Sequence, residues 1–532
     1  MTLRFGGVWP YGSRAVNETS KPRDRQPGLA PDIESWLRAG ADRDAPCEGV
    51  IETSISWIFL FADRALKLKK PVDLGFLDFS TVDRRRWACE RELTFNRATA
   101  PDIYRSVLAV TRDETGHLTF DGAGEAVEWA LEMRRFDETS VLANRLAVVD
   151  GAFAEALGRE VARFHARSSP ATAGGGAAGL AYVLRSNAIL LRSEAGDLGG
   201  EVVERLLAAT DRAFEAVAPL LDRRLTQGFV RYCHGDLHLG NILLEGGAPV
   251  LFDCIEFNDT LREIDVLYDI AFLLMDLSFR GAPDAANRVL NGWLDEAARD
   301  FGPPIWEGLA ALALFEAVRA AVRAHVNALE GRFEVSRLYL AAAERYLSPE
   351  PPVLIAVGGL SGSGKSTLAR ALAPDLGPPP GAVVVRSDEI RKRLWGREPT
   401  ERLPPEAYTP EASATVYGEL ISIARACLGA GRAVIVDAVF LKPAERESVA
   451  DLAAGVGVAF HGVWLEASAD VLRTRIETRR GDASDADARV VGLQLGVDPG
   501  PIEWLRLNDA NAPGGAERLQ RRLGLRRRSA LE

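Results

Sequence analysis

The stretch "YCHGDLHLGNILL", Tyr232–Leu244, holds two of the chain's six histidines, an aspartate and, five residues later, an asparagine. Twelve residues beyond Asn241, Asp253 ends the apolar run in "PVLFDCIEF". Phosphoryl transfer from ATP asks a protein for a carboxylate that orients and deprotonates a hydroxyl, oxygen ligands for Mg²⁺, and a cation on the phosphates. Asp236 suits the first task. Asn241 and Asp253 suit the metal, and a loop with a following strand can bring all three to one point.

A second phosphate-handling pattern opens the last third. "VLIAVGGLSGSGKSTLARAL" fits G-x-x-x-x-G-K-[ST] from Gly359 to Ser366. An apolar strand runs into a glycine-rich loop, Gly359 to Gly364, whose amides wrap the β-phosphate, with Ser361, Gly362 and Ser363 between. Lys365 reaches the β- and γ-phosphates, Ser366 takes Mg²⁺, and Thr367 follows in a helix whose positive end faces the anion. The strand that opens "AVVVRSDEIRKRLWG" (Ala382–Gly396) is expected to end at Asp388, which is placed to accept a proton from an acceptor hydroxyl. The apolar strand in "AVIVDAVF" is expected to end at Asp437, which is placed to support Mg²⁺ through water. Arg473, Arg475, Arg479 and Arg480 crowd a helix and its exit, where arginines fold over phosphates and offset transferring charge. Each taken alone also fits a solvated helix face.

These residues need elements to hold them. "SISWIFLFADRALKLKKPVDLGFL" (Ser54–Leu77) predicts two strands around a turn at Asp63–Arg64, and Glu125–Phe136 a further strand leading into a connector. From Val141 onward, Ala and Leu recur at helical spacing. Ala171–Gly179 predicts a loop, and Leu309–Leu347 a long helical region. "SPEPP" (Ser348–Pro352) stops that helix, because proline lacks the amide donor and restricts its predecessor. The expected division is a loose lead-in over 1–30, a first domain over 31–347, a linker over 348–352 and a second domain over 353–532.

The set "HGDLHLGNILL…VLFDCIEFND…DVLYDIAFLLMDL" resembles the aminoglycoside phosphotransferase family, within the wider group of protein-kinase-like enzymes. The resemblance runs from about Cys47 to Leu277. It implies that Lys67 holds the ATP phosphates and that Glu92 pairs with that lysine. It also implies that a hinge within "LEMRRF" (Leu131–Phe136), with Met133 in it, contacts adenine through its backbone, and that Asp269 ties the loop to a helix. The second domain, over about 352–525, resembles small P-loop kinases such as gluconate kinases, adenylylsulfate kinases and zeta-toxin-like enzymes. The fold class implied is an α+β protein-kinase-like two-lobe fold followed by an α/β P-loop domain with a mostly parallel sheet. One departure stands out: the expected nucleotide loop, "EGVIETSISWIF", has the single glycine Gly49, leaving Thr53, Ser54 and Ser56 to meet phosphate.

Bulk composition narrows the partners. At 532 residues the chain exceeds one ordinary core. A net charge of −11 argues against a general nucleic-acid binder, and the basic run Arg521–Ser529 predicts a solvated helix end. Five scattered cysteines, without CxxC spacing, predict reduced thiols and a cytoplasmic protein. No apolar signal core opens the sequence, and Glu316, Arg319 and Arg323 interrupt its most apolar helical stretch, so no membrane span is expected. The reading is a bifunctional kinase using ATP and Mg²⁺ on small-molecule hydroxyls, with the acceptors and the oligomeric state left open. Two rivals stand beside it: a ligand-sensing pseudokinase in front of one active P-loop kinase, and a P-loop switch whose only acceptor is water.

Overall fold

Side-chain alternation builds the first layer. In a computed structural model that describes residues 28–41, 45–73, 77–171, 174–478, 482–508 and 514–525, six strands form one antiparallel sheet. They are β1 (Gly49–Glu52), β2 (Ser56–Leu60), β3 (Arg64–Lys69), β4 (Tyr104–Arg112), β5 (Leu118–Phe120) and β6 (Glu125–Arg134), in the order β1-β2-β3-β6-β4-β5. Leu66 and Leu68 pack with Trp57, Phe59, Val110 and Ala130 against Ile33 and Leu37 of the Pro31–Arg38 helix. The odd positions Ala65, Lys67 and Lys69 therefore face the other side. There Ala65 meets Cys89 of the Val82–Asn96 helix.

A helical lobe follows. Two short antiparallel pairs lie within it: β7 (Val230–Tyr232) with β10 (Glu263–Asp265), and β8 (Ile242–Glu245) with β9 (Ala248–Leu251). The loop carrying Asp236 links β7 to β8, and Asp253 stands just past β9. The helices Gly151–Arg167, Val266–Phe279 and Pro283–Phe301 pack around a core that includes Trp293, Leu274 and Leu157. No helix among the described residues is long and apolar enough to cross a membrane.

The last domain is a sheet of five parallel strands: β11 (Val353–Gly359), β12 (Val383–Arg386), β13 (Val434–Asp437), β14 (Ala459–Glu466) and β15 (Leu505–Asn508), ordered β12-β13-β11-β14-β15. Every residue of β11 is buried, as a strand covered on both faces must be. Its neighbours β13 and β14 lie on opposite sides, so the strand order reverses at its carboxyl end, where such sheets open a ligand crevice.

The two domains share a wall, the Pro283–Phe301 helix. Asn291 Oδ1 accepts from the Val384 amide at 2.7 Å, and Asn287 Nδ2 donates to the Ala382 carbonyl at 3.0 Å. These side chains satisfy backbone groups of β12 and of the residue that leads into it, along an edge strand that would otherwise offer them to another chain. Further along the same helix, Asp295 bridges Arg159 and Arg393 at 2.5 and 2.9 Å.

Four expectations need adjusting. The strand expected to reach Asp388 ends at Arg386, and Asp388 is the second residue of the Ser387–Leu394 helix. Arg64 opens β3 instead of sharing the turn. The 309–347 region is two main helices, Leu312–Leu329 and Phe333–Tyr346, parted at Gly331, whose φ of 78° is left-handed and incompatible with a continuing helix. Within Ala171–Gly179, Gly176 already opens the Gly176–Ser193 helix, while 172–173 lie outside the described residues. So do 1–27 of the lead-in and the end of the basic run from 526. The sheet of the last domain is wholly parallel.

Replacing Asn291 with Ala strips the Val384 amide of its side-chain partner. We expect a loss of about 1–3 kcal/mol, read as a lower urea midpoint for the full chain.

Candidate active sites

In the front domain the sheet alternation delivers two lysines to one carboxylate. Lys67 Nζ lies 2.7 Å from Glu92 Oε1 and 2.7 Å from Asp253 Oδ1. Lys69 Nζ bonds Glu92 Oε2 at 2.5 Å and also meets Glu256. All are buried or nearly so. Burial alone would push the Glu92 carboxyl up, but Lys67 and Lys69 outweigh it and bring it down to about 2. Burial likewise opposes the charge on Lys67, and Asp253 with Glu92 overcomes it and raises its pKa. For Glu256 burial wins, and its carboxyl is raised.

Asp253 has a φ of 60°, a left-handed conformation rare for a residue with a side chain. The turn is pinned from outside: the Asp253 amide donates to Tyr104 Oη at 3.1 Å, and the Cys254 amide to Asn96 Oδ1 at 2.9 Å.

The loop before β8 is equally tied. Asn241 Nδ2 donates to the Asp236 carbonyl and to its Oδ2, both at 2.9 Å. Asn241 Oδ1 is buried and has no hydrogen-bond partner among the described residues. An orphaned carbonyl oxygen beside Asp236 is the donor type a hard cation prefers, so Asn241 and Asp253 fit Mg²⁺. Burial would raise the Asp236 carboxyl, but His238, His234 and Arg323 hold it well below the usual carboxylate range. Asp269 accepts from the amides of His234 and Gly235 at 3.1 and 2.9 Å and pairs with His165 Nε2 at 3.1 Å. Trp293 Nε1 donates to His165 Nδ1 at 3.0 Å. An indole can only donate, so the His165 proton sits on Nε2 and points at Asp269.

Two cavities flank this cluster. One of about 460 Å³ is lined by Ile58, Leu60, Ala65, Met133 and the connector Arg134–Glu138. The other, beside Lys67, Asp236 and Asp253, is only about 20 Å³. The glycine-poor loop is closed differently from a glycine-rich one. The Thr53 hydroxyl accepts the Ile55 and Ser56 amides at 3.3 and 2.9 Å, fixing the turn with a side chain.

The back domain assembles its site at the end of β11. Gly359 (φ 135°) and Gly364 (φ 97°) take left-handed backbone. A Cβ at Gly359 would come within 2.6 Å of the Leu465 carbonyl oxygen. Lys365 opens the Lys365–Leu372 helix, and its Nζ bonds the Leu360 carbonyl at 3.0 Å. Ser366 Oγ bonds Asp437 Oδ2 at 2.6 Å, an oxygen pair that fits Mg²⁺. Ser361 is held through its amide and hydroxyl by Gln494, at 2.9 and 3.1 Å. Ser363 Oγ is buried and unpartnered among the described residues. Arg475 reaches the Ser363 carbonyl at 3.4 Å, and Thr367 is exposed. Asp388 is half-buried. Arg479 and Arg480 lie outside the described residues. A cavity of about 370 Å³ adjoins the loop, lined by Ser363, Glu466, Ser468, Val471, Arg475 and Asn508.

The geometry adds residues that motif reading misses. Lys69 shares the face of Lys67 at strand period two, a signal present in "ALKLKK". Glu256 stands three residues past Asp253. Arg386, Asp482 and Gln494 reach the back site from distant segments and carry no local signature.

Residues 107–312 match the family described as "Phosphotransferase enzyme family", and 354–497 match "AAA domain". The first span begins downstream of Lys67 and Glu92, whose pairing rests on the distances above. The uncharacterized proteins Rv2004c of Mycobacterium tuberculosis (strain H37Rv) and Mb2027c of Mycobacterium bovis are each 33% identical over 465 residues, 84% of this chain and 89% of theirs. The chain belongs to the family of these mycobacterial proteins. It thus joins a phosphotransferase-family domain to a P-loop domain of the AAA type. Similar solved structures include a gluconokinase from Sinorhizobium meliloti (25% identity, 33% of this chain and 98% of that one, TM-score 0.22). Another is an aminoglycoside 2'-phosphotransferase-IIIa in its GDP complex (13% identity, 60% and 97%, TM-score 0.35).

The Glu92 carboxyl is depressed in the fold, so its contribution is complete above pH about 4.5 and is lost as pH falls toward about 2. Glu92→Gln should lower stability at pH 7 by about 3–5 kcal/mol and flatten the dependence between pH 4.5 and 2. Urea midpoints at several pH values check both.

Proposed function

We propose that the chain is a bifunctional ATP-dependent phosphotransferase that moves γ-phosphoryl groups to hydroxyls of small metabolites at two sites. The observation that carries this is the convergence of Lys67 on Glu92 and Asp253, beside an Asp236 held by Asn241. In the front site the nucleotide base takes the cavity along Met133–Glu138, and Lys67 meets the phosphates. Asp236, ionised at neutral pH, orients the acceptor hydroxyl and receives its proton. Asn241 and Asp253 would hold Mg²⁺, which would offset the phosphate charge when bound. In the back site Lys365 and the loop amides hold the phosphates, Ser366 and Asp437 take the metal, and Asp388 is the base. The five free thiols accord with a cytoplasmic protein, and the net charge of −11 with small-molecule rather than nucleic-acid partners.

A sensing role for the front site is the competing reading. It is favoured by the narrow space beside Lys67 and by the pairing of Lys67 with Asp253 itself.

Asp236→Asn should lower front-site turnover about 10²–10⁴-fold with nucleotide affinity retained, and Lys365→Ala should abolish back-site turnover. The assay is γ-labelled ATP with Mg²⁺ and a small-metabolite extract, with labelled products resolved for each variant. If Asp236→Asn leaves every labelled product unchanged, the front site is not a catalyst for those acceptors and the sensing reading stands. Label released only as free phosphate would establish a hydrolytic switch.

A further inference from the structure

Arg386 ends β12 directly opposite Asp437 in register, so two flush parallel strands set a guanidinium against a metal-ligand carboxylate. The side chain is 3% exposed. Its Nε lies 3.3 Å from Asp437 Oδ2, and one terminal nitrogen lies 3.1 Å from Ser366 Oγ. That same nitrogen reaches Asp482 at 3.0 and 3.3 Å, and the other terminal nitrogen reaches Glu389 at 2.8 Å. Burial opposes its charge, but Glu389, Asp482 and Asp437 outweigh this and keep it protonated. The serine and aspartate oxygens that suit a divalent cation thus already carry a monovalent one.

The geometry points to Arg386 as a resident counter-cation of the P-loop site, which Mg²⁺ displaces from Ser366 and Asp437 onto Asp482 and Glu389 as nucleotide loads. This deepens the nucleotide-binding reading of the back site and rests on it. The two positive groups cannot share one oxygen pair without strong repulsion. The guanidinium fork has enough donors to keep its bonds to Asp482 and Glu389 after giving up the others. Until it moves, the metal-competent state is a minor fraction, and the apparent Mg²⁺ affinity falls by that fraction. Asp482, from the segment leading to the Ala488–Leu495 helix that carries Gln494, makes the parking place part of the wall above the phosphate loop.

The test measures binding. Full-length protein is titrated with Mg²⁺ at fixed N-methylanthraniloyl-ATP, and the signal lost in Lys365→Ala is taken as the back site. The double variant Arg386→Gln/Asp482→Asn keeps the local net charge, and its cooperative melt is checked first. Its half-saturating Mg²⁺ should fall on the order of tenfold, whereas Arg386→Lys should retain most of the wild-type requirement. An unchanged or higher requirement in the double variant overturns the proposal. In the wild type, the Arg386 Nε–H resonance should shift with Mg²⁺ plus ADP and stay put with ADP and a chelator. A signal indifferent to Mg²⁺ also overturns it, whether or not the double variant folds. Absence of any Lys365-dependent binding in the wild type would instead remove the nucleotide reading itself.

Discussion

The Pro283–Phe301 helix is the constraint on which both sites depend. On one side Trp293 fixes the tautomer of His165, which pairs with Asp269, which holds the amides of the loop leading into Asp236. Toward the other domain, Asn287 and Asn291 take the backbone groups of β12, whose end supplies Arg386 and leads into Asp388. Four of these side chains are almost fully buried. A buried polar group is tolerated only when its partners are in place. The helix therefore cannot shift on one face without leaving donors or acceptors unmet on the other.

Charge organises the front site in the same way. Two lysines and three carboxylates lie within one buried cluster, and neither sign survives burial without the other. This explains why Asp253 adopts a left-handed backbone, with its own amide tied to Tyr104 and that of Cys254 to Asn96. The strain is offset by placing a carboxylate on Lys67 at the one position where the β-lobe, the helix of Glu92 and the loop of Asp236 meet. The Thr53 turn continues this economy of means: a hydroxyl fixes by hydrogen bonding what a glycine-rich segment would leave loose.

The sequence makes some of this readable and hides the rest for identifiable reasons. Asp236, Asn241 and Asp253 lie close in the chain, and the phosphate loop is a contiguous pattern, so they stand out as candidates before any fold is known. Strand alternation in "ALKLKK" carries Lys69 as plainly as Lys67, although only a helix bearing Glu92 gives that face a meaning. The end of β12 is misplaced by two residues because Ser387 and Asp388 favour a helix start as readily as a strand end. Arg386 and Asp482 are 96 residues apart, and nothing local marks them as partners. The amphipathic pattern of the Pro283–Phe301 helix shows which face is buried. It does not show that Asn287 and Asn291 answer an edge strand of another domain.

That last contact bears on why two phosphate-handling domains occupy one chain. Arg370, within the phosphate-loop helix, bonds Glu155 of the front domain at 3.0 Å and approaches Asp482 at 4.0 Å. Arg393, on the helix of Asp388, depends on Asp295. The back site's balance of charge therefore includes two carboxylates that the front domain supplies. Cut at the 348–352 segment, the P-loop domain would keep its motif but expose β12 and leave both arginines without these partners. The Arg393–Asp295 pair is nearly buried, and removing one member of such a pair costs more than the pair contributes. The unit that folds with its P-loop charges matched is the pair of domains, and the fusion is part of the site's construction.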